Sequence, residues 1–175
     1  MQQKLAIITG GSSGIGLAIT RELANSQVLS VIADIQPPTE KLPSQAVYIP
    51  CDISQQEDVE SFAHQVLHTY GTPDILISNA GQGIHEKLSE GDPRKWAYIF
   101  NLNVCGALRF IRAFLPLMLE AGRGDVLFVS SVAAGQAYPY GGVYAATKAA
   151  LEVIAETLRL ETRAPAPGKH CGARV

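Results

Sequence analysis

The chain is poor in cysteine and carries no run of like charge. Its three cysteines, Cys51, Cys105 and Cys171, lie far apart and match no metal-binding spacing. Such usage favours reduced thiols and a cytoplasmic protein over a disulfide framework. Lysine and arginine are scattered, and the net charge is −2. This distribution argues against a nucleic acid or an anionic membrane surface as a partner.

Long apolar runs are also lacking, because none approaches the roughly 20 residues that a membrane-spanning helix needs. The N-terminus enters an apolar segment at once, without the pattern of a signal peptide. His64 and His68 lie four residues apart but have no third ligand near them in the sequence, so we expect no metal site. What the chain has instead is 47% hydrophobic residues. That share is typical of a single domain whose parallel sheet is covered on both faces.

A glycine-rich turn follows the first predicted strand. Residues 5–9 are apolar, residues 10–16 read Gly-Gly-Ser-Ser-Gly-Ile-Gly, and residues 17–24 have a helical composition. Glycines let the backbone turn sharply and approach a ligand, and a helix N-terminus offers free N–H groups to a pyrophosphate. The alternative is a merely tight turn, since the spacing matches neither Gly-x-Gly-x-x-Gly nor a P-loop.

Asp34 ends the second predicted strand, residues 28–33, about twenty residues past the glycines. A carboxylate there can accept hydrogen bonds from the two hydroxyls of a ribose, and it repels a 2′-phosphate. No lysine or arginine lies in the glycine turn or within five residues after Asp34 to offset that repulsion. These charges favour NAD over NADP.

Polar residues also follow the third and fourth predicted strands, residues 46–49 and 74–77. Asp52 either hydrogen-bonds an adenine amino group or helps to cap the next helix. A capping-box pattern from Ser54 to Glu57 predicts that this helix opens there and continues to about residue 69. Asn79 can bridge neighbouring strands through its amide, and the Ala-Gly that follows leaves space for a ligand.

Two asparagines interrupt the helical spacing of residues 93–121. Asn101 and Asn103 oppose helix propensity in a helix interior. One of them is expected at solvent or at a helix end, and the other is a candidate for a buried polar role.

A serine, a tyrosine and a lysine surround the last predicted strand and helix. Ser131 follows the strand of residues 126–129, and Tyr144 and Lys148 lie four apart at the start of the helix predicted for residues 144–161. A nearby lysine favours the phenolate and lowers a tyrosine pKa from its usual value of about 10, while serine can hydrogen-bond a substrate oxygen. A surface pair on an amphipathic helix is the alternative.

Five predicted strands alternate with helices, which indicates a three-layer α/β/α fold with a Rossmann-like, doubly wound parallel sheet. Ligands of such sheets bind past the carboxyl ends of the strands, near the switch point between strands one and four. The glycine turn, Asp34, Asn79 and Ser131 all follow strand ends. We therefore expect them to meet at one site.

These motifs together resemble the short-chain dehydrogenase/reductase family, over residues 4 to about 162. Residues 9–16 are similar to its Thr-Gly-x-x-x-Gly-x-Gly cofactor signature, and residues 78–81 to its Asn-Asn-Ala-Gly motif with serine in the first position. Ser131 lies thirteen residues before Tyr144, and Tyr144 and Lys148 match the Tyr-x-x-x-Lys active-site pair.

The resemblance implies an NAD-dependent oxidoreductase that exchanges a hydride between nicotinamide and a secondary alcohol or ketone. Tyr144 is then the general acid–base, Lys148 holds the nicotinamide ribose, Ser131 orients the substrate oxygen, and Asn103 supports a water that links Lys148 to solvent. The implied cofactor-binding residues are Gly10, Ser12, Ser13, Gly14, Ile15, Gly16, Asp34, Asp52, Ile53, Asn79, Ala80, Gly81, Tyr144 and Lys148. Members pair through the two long helices, so a homodimer or homotetramer is expected.

The C-terminal segment departs from the family, whose members continue through a sixth strand, a loop over the nicotinamide, a mobile helix and a seventh strand. We expect residues 1–162 to form the dinucleotide-binding domain and residues 163–175 an irregular tail rich in proline and glycine. Only the last residues resemble the run into the sixth strand. The strand of residues 126–130 is then an exposed apolar edge. A non-catalytic NAD-binding fragment without the substrate-binding segment is therefore the second hypothesis.

Overall fold

Six parallel strands form one sheet flanked by helices. The computed structural model describes residues 3–162 and the backbone of residues 170–174. The strands are β1 (Leu5–Thr9), β2 (Leu29–Asp34), β3 (Ala46–Pro50), β4 (Ile75–Ser78), β5 (Arg123–Phe128) and β6 (His170–Arg174). Their order across the sheet is β3-β2-β1-β4-β5-β6. The Rossmann-like parallel sheet, with its switch point between β1 and β4, is thereby confirmed.

Five α-helices connect these strands: α1 (Gly14–Asn25), α2 (Gln56–Thr69), α3 (Pro93–Phe100), α4 (Gly106–Ala121) and α5 (Gly142–Glu161). Residues Asn101–Cys105 between α3 and α4 form a π-helical segment, and Val132–Gly135 form a 3₁₀ turn. The predicted capping box is wrong, because α2 begins at Gln56 after Gln55, with no side-chain cap.

Apolar side chains of the sheet and helices form the core. Phe62 of α2 packs against Phe110 and Phe114 of α4, with ring centroids 5.4 and 6.4 Å away. These rings lie on apolar strand residues such as Ile7 and Val31, which are fully buried. The alternation of apolar strands and amphipathic helices thus closes a core along the length of the sheet.

The helical run Pro93–Ala121 is, at 29 residues, long and apolar enough to cross a membrane by length and composition. The expectation that no apolar run approaches this length is therefore wrong for this segment. In the fold, Phe110, Phe114 and Met118 are buried in the core. One third (33%) of the apolar window of this run is buried.

The C-terminal strand corrects two expectations. Residues 170–174 extend the sheet as β6, in parallel register from Arg123↔His170 to Leu127↔Arg174. They are therefore not irregular, and β5 is not an exposed edge but lies between β4 and β6. Residues 163–169 and 175 of the expected tail lie outside the described residues. Backbone pairing with β5 decides the conformation of β6, a contact that local composition does not encode.

Side chains tie the carboxyl ends of β1 and β4 together. Asn79 donates from its amide to the carbonyls of Thr9 and Gly10, both at 3.0 Å, as the position of this asparagine predicted. The buried Thr9 hydroxyl accepts the N–H groups of Asn79 and Ala80, also at 3.0 Å. Four hydrogen bonds therefore fix the two strand ends beside the switch point.

We predict that Thr9→Val lowers the free energy of unfolding by roughly 2 kcal/mol, because two amide N–H groups lose their acceptor. Thr9→Ser is the matched control, since it keeps the hydroxyl and loses one methyl, at a cost of about 1 kcal/mol. Urea unfolding followed by circular dichroism measures both. Equal losses in the two variants would contradict a role for the hydroxyl.

Candidate active site

A cleft of about 500 Å³ opens past the carboxyl ends of the strands. Its walls come from the glycine turn, the end of β2, the loops after β3, β4 and β5, and the first turns of α5. Twelve of the predicted site residues line it: Gly10, Ser13, Gly14, Ile15, Asp34, Asp52, Ile53, Asn79, Ala80, Gly81, Tyr144 and Lys148. The strand ends thus bring together residues that lie up to 138 positions apart, from 10 to 148.

The glycine turn needs glycine for two different reasons. At Gly16, an added Cβ would lie 2.1 Å from the Gly10 carbonyl oxygen, so only glycine lets α1 approach the end of β1 this closely. At Gly14, φ is +51° and nothing lies within 4 Å of the position of a Cβ. Gly16 therefore acts in packing, while Gly14 faces open space at the start of the helix.

The N-terminus of α1 is suited to an anion. Ser13 is its N-cap but makes no side-chain capping bond, and the first turn holds no acidic residue. The first N–H groups of a helix have no partner within it, and the helix dipole places positive charge there. Ser13, Gly14 and Ile15 all line the cleft. A pyrophosphate fits this donor set.

Ser12 supports the turn and does not line the cleft. It is buried, and its N–H donates to Asp34 Oδ2 at 3.0 Å. Its hydroxyl has no hydrogen-bond partner among the described residues. Sequence reasoning predicted a direct cofactor contact, whereas the described geometry gives Ser12 a contact with the carboxylate.

Asp34 ends β2 at the rim of the cleft. Its carboxylate accepts from Ser12 N and, at 3.2 Å, from Gln36 N. Each oxygen keeps further lone-pair capacity, because an ionised carboxylate offers about four acceptor sites. The described lining residues include one cation, Lys148, which lies against Gly81. This end of the cleft is therefore acidic.

Asp52 has a local structural role in addition to its place in the cleft. Its Oδ1 accepts from Ser54 N at 2.9 Å and forms the turn before α2. Asp52 and Ile53 both line the wall beyond Asp34. The predicted helix cap is not what Asp52 forms, because α2 has no side-chain cap and the carboxylate binds Ser54 N before the helix. The contact with adenine stays a prediction.

Lys148 is a buried ammonium at the opposite wall. It is 5% exposed, and its Nζ donates to the Val129 carbonyl at 2.7 Å. Burial lowers the pKa of Lys148 below its usual value. The Nζ lies 6.0 Å from the centre of the Tyr144 ring. A cation and a phenol thus share the cleft wall on one face of α5, as their spacing predicted.

Ser130 and Ser131, which follow β5, make different contacts. Ser130 lines the cleft, and its hydroxyl donates to Glu152 at 3.0 Å. Ser131, the predicted catalytic serine, is not among the described lining residues. Its Oγ accepts from Ala133 N at 3.2 Å and caps the 3₁₀ turn. The Ser131 hydroxyl keeps its proton available for donation.

Asn103 lies behind the cleft in the π-helical segment and is 1% exposed. Its amide accepts from Gln82 N at 2.8 Å and donates to Gln82 O and Thr147 Oγ1 at 3.0 and 3.1 Å. The buried role predicted for one asparagine is therefore that of Asn103. Its side chain joins the loop after β4 to α5 and is not among the described lining residues.

Two positions whose hydrogen bonds connect segments near the site were missed from the sequence. Thr147, fully buried, accepts from Asn103 and donates to the Tyr144 carbonyl at 2.7 Å, so it links them. Glu86 binds Lys95 and the Trp96 indole through its carboxylate, and its N–H donates to Tyr140 O at 2.9 Å. Thr147 could have been identified from the sequence because it directly precedes Lys148, whereas no local pattern points to Glu86.

Comparison with known proteins agrees with this arrangement. The family model described as short chain dehydrogenase matches residues 4–165. An uncharacterized oxidoreductase of Listeria monocytogenes is 33% identical over 172 residues, covering 93% of this chain and 68% of the relative.

Two solved structures have the same fold. An alcohol dehydrogenase of Thermococcus sibiricus, complexed with 5-hydroxy-NADP, is 32% identical with a TM-score of 0.86, over 92% of this chain and 72% of that one. A short chain dehydrogenase/reductase of Burkholderia phymatum, complexed with NAD, is 27% identical with a TM-score of 0.86, over 98% and 63%. This chain therefore spans 63% to 72% of the lengths of these three proteins.

We predict that raising the pH stabilises the ligand-free chain relative to Lys148→Met. Burial lowers the Lys148 pKa from 10.5, so between the lowered value and 10.5 the unfolded chain binds more protons than the folded chain. Stability then rises with pH. Urea unfolding of both proteins from about pH 8 upward measures the difference. Lys41→Met, at an exposed position, is the control for loss of a surface lysine. A difference that is constant or falls with pH would contradict the burial of a charged ammonium.

Proposed function

The chain belongs to the short-chain dehydrogenase family, and on that premise we propose that it transfers a hydride between a nicotinamide cofactor, preferably NAD, and a secondary alcohol or ketone. One observation carries this proposal. Tyr144 and Lys148 open onto the same cleft as the glycine turn and Asp34. The phenol of Tyr144, a possible proton donor, therefore lies in the same cleft as the residues suited to a dinucleotide.

The proposed proton donor is the Tyr144 hydroxyl, which exchanges a proton with the substrate oxygen. The nicotinamide, when bound, supplies the hydride that goes to or comes from the substrate carbon. Lys148, held by the Val129 carbonyl 2.7 Å away, keeps its cation 6.0 Å from the tyrosine ring. Lys148 thus places a positive charge on the same cleft wall as the phenol.

Ser131 is proposed to orient the substrate oxygen. Its Oγ already accepts the Ala133 N–H, so its own proton is the group left to donate. Ser130 lines the cleft directly, but its hydroxyl already donates a hydrogen bond to Glu152. The free donor therefore favours Ser131 over its neighbour for this task.

Asn103 is proposed as a positioning residue for the catalytic pair. Its amide connects the loop after β4 to Thr147, and Thr147 donates to the Tyr144 carbonyl. We retain the expectation that a water near this segment links Lys148 to solvent. The described amide contacts leave one lone pair of Oδ1 for such a water.

A preference for NAD rests on charge. Asp34 and Asp52 line one end of the cleft, and Lys148, the cation among the described lining residues, lies against Gly81. A 2′-phosphate near Asp34 would meet a like charge, and no cation near Asp34 is among the described lining residues to offset it. The solved relatives carry either an NADP derivative or NAD, so they do not favour one cofactor. The argument for NAD therefore rests on the charges of this chain's own residues.

A non-catalytic nucleotide-binding protein is the second candidate. This chain spans 63% of the length of the Burkholderia phymatum structure. Pairing into a homodimer or homotetramer remains an expectation, supported by exposed apolar residues on α4 and α5 (Leu119, Val153 and Leu160) and testable by sedimentation. A cytoplasmic location likewise remains an expectation.

We predict that Tyr144→Phe lowers turnover of secondary alcohols and ketones by roughly 10²- to 10⁴-fold, because the general acid–base is lost. NADH affinity should stay within about twofold, since the ring remains in place. Tyr70→Phe, at the end of α2, is the matched control and should keep full turnover. NADH binding without turnover by the unaltered chain, across a broad substrate panel, would favour the second candidate.

We predict that the chain binds NADH at least about tenfold more tightly than NADPH, a difference of roughly 1.4 kcal/mol. Titrations that follow nicotinamide fluorescence measure both affinities. Asp34→Asn should shrink this ratio mainly by improving NADPH binding, because it removes the like charge and keeps an acceptor oxygen. The exposed Glu57→Gln serves as the control for a lost carboxylate. Tighter binding of NADPH by the unaltered chain would refute the charge argument.

A further inference from the structure

The loop after β3 forms the cleft wall beyond Asp34 and is anchored on two sides. On the side of α2, Asp52 accepts from Ser54 N at 2.9 Å, and the Asp52 N–H donates to Asp58 at 3.1 Å. These bonds shape the turn itself. They do not fix its distance from the rest of the cleft.

The second anchor comes from the π-helical segment and α4. Asn101 donates from Nδ2 to the Ser54 carbonyl at 3.0 Å. Arg109 donates from Nη1 to the Ile53 carbonyl at 3.2 Å and from Nη2 to Asn101 Oδ1 at 2.8 Å. The side chains of Asn101 and Arg109 thus bind each other and the two successive carbonyls of Ile53 and Ser54. We call these two side chains the Asn101–Arg109 clamp.

Close packing accompanies the clamp. An added Cβ at Gly106 would lie 2.7 Å from Ile53 Cδ1 and 3.1 Å from the Ile53 carbonyl oxygen. Ile53 is itself 4% exposed and lines the cleft. The first turn of α4 therefore lies directly against the loop, and the clamp fixes the loop at this distance from α4.

Asn101 and Asn103 hold opposite sides of the site from one segment. Residues two apart in a helix do not face each other. Asn101 binds the loop after β3, whereas Asn103 binds Gln82 and Thr147 on the side of Tyr144. π-Helical segments are rare and frequent at functional sites, and this one connects both walls of the cleft.

We propose that Asn101 and Arg109 are positioning residues that set the affinity of the chain for the adenylate half of a dinucleotide. This inference rests on the proposed function, because it requires a dinucleotide in the cleft. The clamp acts through Asp52 and Ile53, which line the cleft, and not by touching the ligand. The nicotinamide half lies beyond its reach, since Asn103, not Asn101, holds the wall near Tyr144.

The test measures the two halves of the cofactor separately. Calorimetry with AMP reports the adenylate half, and fluorescence of reduced nicotinamide mononucleotide reports the other. In Arg109→Met and Asn101→Leu we expect the dissociation constant for AMP to rise roughly three- to thirtyfold. Affinity for the mononucleotide should stay within about twofold, and NADH should weaken by the same factor as AMP.

Two further variants keep the test decisive. Arg112→Met, an exposed arginine on the same helix, is the matched control and should bind AMP as the unaltered chain does. If Arg109→Met fails to fold, Arg109→Lys, which keeps one donor group, should still show a smaller loss of AMP affinity.

Unchanged AMP affinity in folded clamp variants would overturn this inference alone, as would an equal loss for both halves, which indicates general loosening. An unaltered chain that binds neither NADH nor AMP would overturn it together with the proposed function.

Discussion

The site depends on the junction where β1 and β4 end side by side. The Asn79 amide holds the carbonyls of Thr9 and Gly10, and the Thr9 hydroxyl holds two N–H groups of the next loop. Loops that leave neighbouring strands at a switch point run to opposite faces of the sheet, and a crevice opens between them. These hydrogen bonds therefore set the geometry from which the other walls of the cleft are positioned. Because Gly16 lets α1 approach the Gly10 carbonyl, the helix N-terminus enters the same crevice.

Several groups around this crevice depart from the usual rules for buried polar groups. Lys148 is a cation with 5% exposure, the buried Ser12 hydroxyl has no partner among the described residues, and Asn103 occupies a helical interior. Burial of the Lys148 cation and of the unpaired Ser12 hydroxyl costs stability, because burial disfavours charge and unpaired polar atoms, and Asn103 opposes helix propensity. Departures from local consistency concentrate at functional sites. The buried cation of Lys148, which lines the cleft, is a departure of this kind.

Much of the fold was predictable, because parallel strands and their helices leave clear periodic patterns. Strand β1 has the predicted bounds, and Asp34 ends β2 as expected. One error occurs where a different local hydrogen bond forms, and the other where a distant contact outweighs local pattern. The capping box before α2 is replaced by a turn through Asp52, and residues expected to be irregular form β6 on β5. A strand of this kind exists through its neighbour's backbone, which composition does not record.

The sequence by itself determined which chemical groups the cleft can hold and where along the sheet they emerge. Glycine spacing, the carboxylate of Asp34 and the interval from Tyr144 to Lys148 are local features with direct physical meaning. Only the tertiary structure decided which serine lines the cleft, and that Asn101 and Asn103 serve opposite walls. The reason is the sequence separation over which each kind of interaction acts. Residue types and short spacings set backbone preference over a few positions, whereas hydrogen bonds such as Asn79 to Thr9, 70 residues apart, exist only once the sheet has formed.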